Sequence, residues 1–384
     1  MPQATKPLLA MLVVLMFAGA AQAQPLVVAT EPQASAAPLI IAHERGWFAE
    51  EGLDVTILHF HANRTMVMAL SEGDIDIGLI GLSADAFAMA ASHQLRIVAG
   101  VEQLDPAYPR YAWLLNASLT RASPDGPVAG GDSDGLWRLR GGARFGLTEA
   151  GATARYLLDR RLGAADGLSF VSEGSYVALA AALSQGRIDA ALLPAHLAGD
   201  LEATGAAVVT GWAGAAEGPV SLSVLMTTAA QTRLRGDVTR RFLRAYIRGV
   251  RAYHDMVLAV DADADGLAGA ERTALVQVIA GGARRPVAEV AAALPYIALD
   301  GGLDADSLAE QLLWWQDQGV CGREIEVEAL VDLAPLEAAL AELAAEEAVI
   351  AARAAAAAAA EENDDLQATD PTAAGGPEQV SPGQ

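Results

Sequence analysis

Two sets of polar residues stand at matching places in two similar stretches of this chain, and their types suit the holding of a small molecule. The first set is Glu31, Ser35, His61, Asn63, Arg64 and Ser83. The second is Thr148, Thr153, Ser175, Tyr176 and His196. Hydroxyl, amide, imidazole and guanidinium groups can donate to a ligand, and Glu31 can accept. Neither set has the makings of a covalent mechanism. No Gly-x-Ser-x-Gly elbow and no phosphate-cradling P-loop run occurs. His59 and His61 alternate along one stretch, but no Cys or third close ligand accompanies them, so no metal or other cofactor is expected. Each residue also has a purely structural reading. Ser35, Ser83, Thr153 and Ser175 fit helix N-caps, His61 and His196 fit packing within loops, and Arg64 fits a solvated charge at a helix start.

These residues lie in an internal repeat, 26–91 and 143–201. Each copy opens with an apolar strand ending in Thr-Glu, Thr30-Glu31 and Thr148-Glu149. A helix follows in each, 38–48 and 153–162, with apolar spacing suited to a sheet surface. Gly46 and Gly163 favour the helix ends. A second strand comes next, then helices over 65–71 and 176–184. The match is sharpest where Ala-Leu-Ser-Glu-Gly-Asp-Ile-Asp at 69–76 answers Ala-Leu-Ser-Gln-Gly-Arg-Ile-Asp at 182–189. Strands 77–80 and 190–193 follow. Alternating strand and helix implies α/β layers with largely parallel sheets, and two tandem units imply two lobes.

Strands are further expected over 96–101, 111–120, 207–210 and 220–227, the last returning to the first lobe. The chain then crosses between lobes near 110–116 and 218–224, and two crossovers make a hinge. The expected organisation is a signal peptide over 1–23, the first part of lobe 1 over 24–112, and lobe 2 over 113–219. The second part of lobe 1, with C-terminal helices, takes 220–335, including an amphipathic helix over 240–260 and others within 271–315. An Ala/Glu-rich lone helix over 335–360 and a disordered acidic tail from 361 close the chain. In open α/β sheets ligands lie beyond the carboxyl ends of the strands, where the following helices offer free N–H groups. That places both polar sets around one cleft between the lobes.

The chain has 384 residues, 53% of them hydrophobic and 5% aromatic, enough for two domains of ordinary size. Its formal charge is −23, which repels nucleic acid and anionic lipid and excludes both as partners. Lys6, the apolar residues 8–21 and Ala21-Gln22-Ala23 fit a signal peptide cut after Ala23. The apolar stretch is too short and too rich in Ala and Gly for a permanent span. No Cys stands at the cut, so a secreted periplasmic protein without a lipid anchor is expected. The only Cys, Cys321, permits no internal disulfide.

The run Arg-Gly-Trp-Phe-Ala-Glu-Glu-Gly-Leu-Asp-Val at 45–55, with the two Ala-Leu-x-x-Gly-x-Ile-Asp elements, resembles the periplasmic solute-binding proteins of ABC importers. The group in question includes sulfonate, taurine, nitrate and thiamine-precursor binders. Similarity also covers 148–162, 184–194, Tyr296 and 300–320, and in all about 26–335. The resemblance implies a two-lobed periplasmic binding protein (Venus flytrap) fold, one ligand per cleft, and a monomer that delivers its solute to an inner-membrane permease. A ligand-sensing module for a membrane receptor would share the same sequence features. The group is also similar to an enzyme that makes the thiamine pyrimidine with a lysine-linked pyridoxal phosphate. Lys6 is the only lysine of this chain, so the expected mature protein cannot form that Schiff base, and no enzyme is expected. As to the solute, a sulfonate would suit helix N-termini and Arg64. The acids Glu31, Glu149 and Glu173, with Tyr176 or Trp212 to stack, favour a heterocycle or amine over a small inorganic anion.

Overall fold

The computed structural model describes residues 23–121, 136, 139, 142–163, 167–215, 217–260, 266–292 and 294–368. The expected signal peptide up to residue 22, the Pro/Gly/Asp-rich stretch at 123–135 and the acidic end from 369 lie outside them.

Twelve strands are described: β1 (Gln24–Thr30), β2 (Leu53–His59), β3 (Ile77–Gly81), β4 (Leu95–Gly100), β5 (Gln103–Leu104), β6 (Tyr111–Asn116), β7 (Arg144–Leu147), β8 (Ser169–Ser172), β9 (Ala190–Pro194), β10 (Ala207–Trp212), β11 (Val220–Ser221) and β12 (Ser223–Thr228). They build two five-stranded sheets of matching order, β2-β1-β3-β12-β4 and β8-β7-β9-β6-β10. In each, the three strands of one repeat copy run parallel. The fourth strand enters antiparallel from outside that copy. β12, which follows the second copy, joins the first sheet, and β6, which follows the first copy, joins the second. The short strands β5 and β11 lie on the two crossing segments and pair with each other. The architecture is mixed α/β with two lobes, as the repeat implies.

Burial follows sheet position. Central β9 is apolar and buried along its length and β3 at all but its last residue, as strands covered on both faces must be. Edge strand β2, Leu-Asp-Val-Thr-Ile-Leu-His, begins with buried and open positions alternating. The two Asp residues ending the repeat motif do the same work in each sheet. Asp76 accepts from the Val27 N–H at 2.8 Å and Asp189 from the Arg144 N–H at 2.7 Å, each pinning the loop before the third strand to the first strand.

Several elements depart from their expected bounds. The helix expected over 38–48 is two, Ala37–Glu44 and Trp47–Glu50, because Gly46 takes a left-handed φ of 74°. The strand expected over 111–120 stops at Asn116 and turns into a helix, Ala117–Arg121. The run 220–227 is not one strand: at Leu222 it leaves the crossing ribbon for the first sheet. The helix expected over 240–260 spans Gly236–Tyr253 and ends in a wider turn at His254–Leu258. Gly249 lets it cross Ala37–Glu44 closely, since a Cβ there would stand 2.1 Å from the Pro38 carbonyl oxygen.

The Ala/Glu-rich helix is not a lone one. It runs Ala334–Ala368, so residues 361–368, expected to be disordered, are helical. Its first turns dock on Gly236–Tyr253 through buried Leu336, Ala339 and Leu343. Ion pairs join Arg240 and Arg244 to Glu342, Arg244 to Glu346, and Arg251 to Glu347. Residues 344–357 are open to solvent. Among the described residues no helix is long and apolar enough to cross a membrane.

Candidate functional site

The strand ends that the repeat sets facing each other enclose a cavity of about 580 Å³, within the range of ligand pockets. β1 leads into Glu31 and β7 into Thr148 and Glu149. From the first sheet's loops come Glu31, His61 and Asn63; from the second come Thr148, Thr153, Ser175, Tyr176 and His196.

Three of the expected residues are not part of the wall. Ser35 is fully buried in the 3-10 turn Ala34–Ala36. Arg64 pairs at the surface with Asp85 at 3.2 Å. Ser83 caps the helix Ala84–Ser92, accepting from the Ala86 N–H at 3.2 Å. Some wall residues are also committed to the scaffold. Asn63 donates to the Gly81 carbonyl at 2.7 Å and accepts from its N–H at 3.1 Å. Ser175 caps the helix Tyr176–Ser184. Thr153 is not the cap of its helix, which Ala152 precedes; its hydroxyl donates to the Leu82 carbonyl at 2.7 Å. Glu173 forms an ion pair with Arg187, and Trp212 packs beside an apolar cluster of the second sheet; neither lines the cavity.

Thr153 belongs to a seam that ties the sheets together beside the cavity. Ser83 bridges Ala152 by backbone pairing, and the Ala84 N–H donates to the Gly151 carbonyl at 3.1 Å. The backbones approach so closely that a Cβ on Gly151 would stand 3.0 Å from that of Ala84. The helix Ala305–Asp317 adds a second tie: the Trp314 indole N–H donates to Asp159 on the second lobe at 2.8 Å.

Besides Glu149, four charged residues of the wall are absent from both polar sets. Glu102 and Arg110 lie on the first crossing segment, and Arg285 and Glu289 lie at and before the short helix Val287–Ala292. The side chains of Glu102 and Arg110 are 5% and 10% exposed, and Arg110 Nε stands 3.2 Å from Glu102 Oε1. Burial works against the Arg110 charge, but the Glu102 carboxylate together with Tyr111 and Tyr253 outweighs it, and the guanidinium stays protonated. Tyr111 donates to the same carboxylate oxygen at 3.3 Å. Arg110 Nη1 is buried and has no protein acceptor. The Tyr111 ring lies beside that of Tyr176, centroids 5.9 Å apart. The only signal for this pair was position: a charge on a crossing segment must border the cleft. No spacing rule points to Arg110.

Glu31 and Glu149 follow matching strands of the two copies, and both line the cavity. Burial, and then the Glu149 charge, raise the Glu31 pKa. Burial, and then Asp85, raise that of Glu149, against a hydrogen bond from Ser83. His196 stands 3.9 Å from Glu289, and both line the cavity. Burial lowers its pKa, with Arg110 and Arg285 adding to that effect and Glu289 opposing it, so the imidazole is neutral at pH 7. Among the described residues no three His, Cys, Asp or Glu side chains converge as metal ligands.

Comparison with known proteins fits this geometry. The profile of the NMT1-like family matches residues 19–195. No curated protein matches the sequence. The fold is similar to that of the alkanesulfonate-binding protein SsuA from Xanthomonas axonopodis pv. citri bound to MOPS, at TM-score 0.57 and 17% identity over 80% of this chain and 98% of that one. It is similar to the periplasmic nitrate-binding protein NrtA from Synechocystis PCC 6803, at TM-score 0.59 and 13% identity over 83% and 89%. A mutant of DSZB in complex with biphenyl-2-sulfinic acid is also similar, at TM-score 0.57 and 16% identity over 83% and 99%. The chain therefore has the fold of the sulfonate- and nitrate-binding periplasmic proteins, and the NMT1-like family profile matches its residues 19–195.

Proposed function

We propose that this protein is the substrate-binding component of an ABC importer, which captures a small organic solute in the periplasm and delivers it to an inner-membrane permease. One observation carries the reading. A cavity of ligand size lies between two like-built sheets, and a paired ribbon of two crossing segments joins them. Such a joint lets the sheets part and close about a solute. The binding residues are Glu31, Thr148, Tyr176 and His196 with the added Arg110, while Asn63, Thr153 and Ser175 hold the wall in shape. The function we infer is capture without chemistry: the acids and the guanidinium of the wall serve to hold charge on a bound solute.

The test is a thermal-shift and calorimetric screen of the full chain against sulfonates, nitrate, pyrimidines, amines and aromatic acids. A ligand that binds only the folded state raises the melting temperature with concentration. At least one class is expected to do so, and mass spectrometry should recover it unaltered. A screen in which no class shifts the protein overturns the solute-binding reading; recovery of a changed compound overturns the absence of chemistry.

A further inference from the structure

The neighbours' names speak of anions, but the wall of this cavity has the opposite balance. Among the described residues it carries four carboxylates, Glu31, Glu102, Glu149 and Glu289, against two guanidiniums, Arg110 and Arg285. The guanidiniums are engaged. Arg110 sits on Glu102 at 3.2 Å, while Arg285 donates to the Pro32 carbonyl at 2.8 Å and stands 3.9 Å from Glu289. Glu31 and Glu149 have no ion-pair partner among the described residues, although each stands in a partly buried wall. They arrive from opposite lobes at the same step of the repeat, just after Thr30 and Thr148. Two carboxylates in the wall of one partly buried cavity repel unless a proton or a cation offsets their charge. A cation there would bind both lobes at once and favour the closed state.

Arg110 adds a second, independent pointer. Its side chain is nine-tenths buried in the wall, and Nη1 is a charged donor with no acceptor in the protein. Leaving such a donor dry costs stability unless a ligand oxygen meets it. The Tyr111 and Tyr176 rings lie beside it.

We propose that the solute is an organic amine, its ammonium clamped between Glu31 and Glu149 and its other end an oxygen acceptor for Arg110 Nη1. This rests on the solute-binding reading and narrows it. An amine with an apolar or aromatic body suits the tyrosines, and its far oxygen is an alcohol, a phenol or an acid.

Calorimetry and thermal shift on the full chain test this with matched probes. Amine probes are ω-amino alcohols, ω-aminoalkanesulfonates and tyramine. Controls are alkanesulfonates and alkanoates of equal length, nitrate and zinc ion. An amine probe is expected to bind at least about tenfold more tightly than its match without nitrogen. Glu31→Gln and Glu149→Gln, changes of charge at nearly constant shape, should each remove most of that preference, about tenfold, since each leaves the ammonium one partner. Melting of the unliganded variants is read first; should either fail to fold, the matched probes on the unaltered chain decide alone. Equal or tighter binding of plain sulfonate, nitrate or zinc overturns the amine assignment while leaving solute binding intact. Binding of amines undiminished in both variants overturns the clamp. If no probe of either kind binds, the amine assignment fails, and the broader screen decides separately whether the protein binds solutes at all.

Discussion

The two lobes share a frame and differ in what their loops do with it. Both sheets carry their parallel strands in the same order, and both accept an antiparallel fourth strand from beyond their own repeat copy. Both use an Asp before the third strand to hold the first. The partners of those acids differ. Asp189 is gripped by Arg144 of its own first strand, while Asp76 pairs with Arg235, just before the helix Gly236–Tyr253. The loops after the third strands diverge further. In the first lobe Ser83 caps a helix and joins the seam; in the second, Pro194 and His196 form cavity wall. Equivalent strands therefore fix where a loop emerges, and the loop's own residues fix whether it closes the cleft or faces the ligand.

The largest expected effect breaks the joint between the lobes. Arg110→Met strands the Glu102 carboxylate in a site where it is 5% exposed. Removing one partner of a buried pair costs about 3–5 kcal/mol, read as a lower urea midpoint. The double variant with Glu102→Gln should recover much of it, and no recovery would detach the loss from the pair.

Next come the matched acids. Asp76→Ala and Asp189→Ala each leave a strand N–H without its acceptor and an arginine without its partner, for about 1–3 kcal/mol each. If only one variant melts early, the two frames are not equivalent in energy.

Gly151→Val acts on the seam. Its Cβ would press on that of Ala84, already at 3.0 Å, and its methyls leave no room for the Ala84–Gly151 hydrogen bond. Affinity should fall about tenfold or more, as the closed state becomes rarer, with little change in unliganded melting. Solution scattering should show a wider particle with ligand present; an unchanged profile would remove the seam from closure.

The smallest effect is on pH dependence. Glu31 and Glu149 have folded-state pKa values raised above those of the unfolded chain. In that window the folded protein binds more protons, so unliganded stability is full below the ordinary glutamate pKa and falls as pH rises through the raised values. Glu31→Gln should flatten part of that fall, comparing melting from pH 4 to 8. A profile identical to the unaltered chain would mean that neither burial nor the Glu149 charge raises the Glu31 pKa.

The repeat made much of the frame legible. Strand, helix and Gly-x-Ile-Asp recur in order, and periodicity reports the local burial that each element needs. Matching Thr-Glu steps placed Glu31, Thr148 and Glu149 at the cleft, because strand ends follow from the pattern. Residues beside them were harder. Ser35, Arg64 and Ser83 have the right types in the right loops, but a side chain one position along a turn faces another way, and each found a cap, a surface partner or a core. The 334–368 helix reads as exposed from its alanines and glutamates, since the arginines that receive it lie about a hundred residues earlier on another helix.

What the sequence by itself determined is therefore the number of lobes, the succession of strands and helices along each copy, and the acids at the first strand ends. These depend on contacts close along the chain. Only the tertiary structure decided that the run 220–227 divides between ribbon and sheet, that Gly151 meets Ala84, and that Arg110 rests on Glu102 in the cavity wall with Nη1 buried and without an acceptor. The first two join residues far apart along the chain, and local propensity carries no record of which distant partner will be there; Glu102 and Arg110 are near in sequence, but they flank β5, whose pairing with β11 is itself a distant contact.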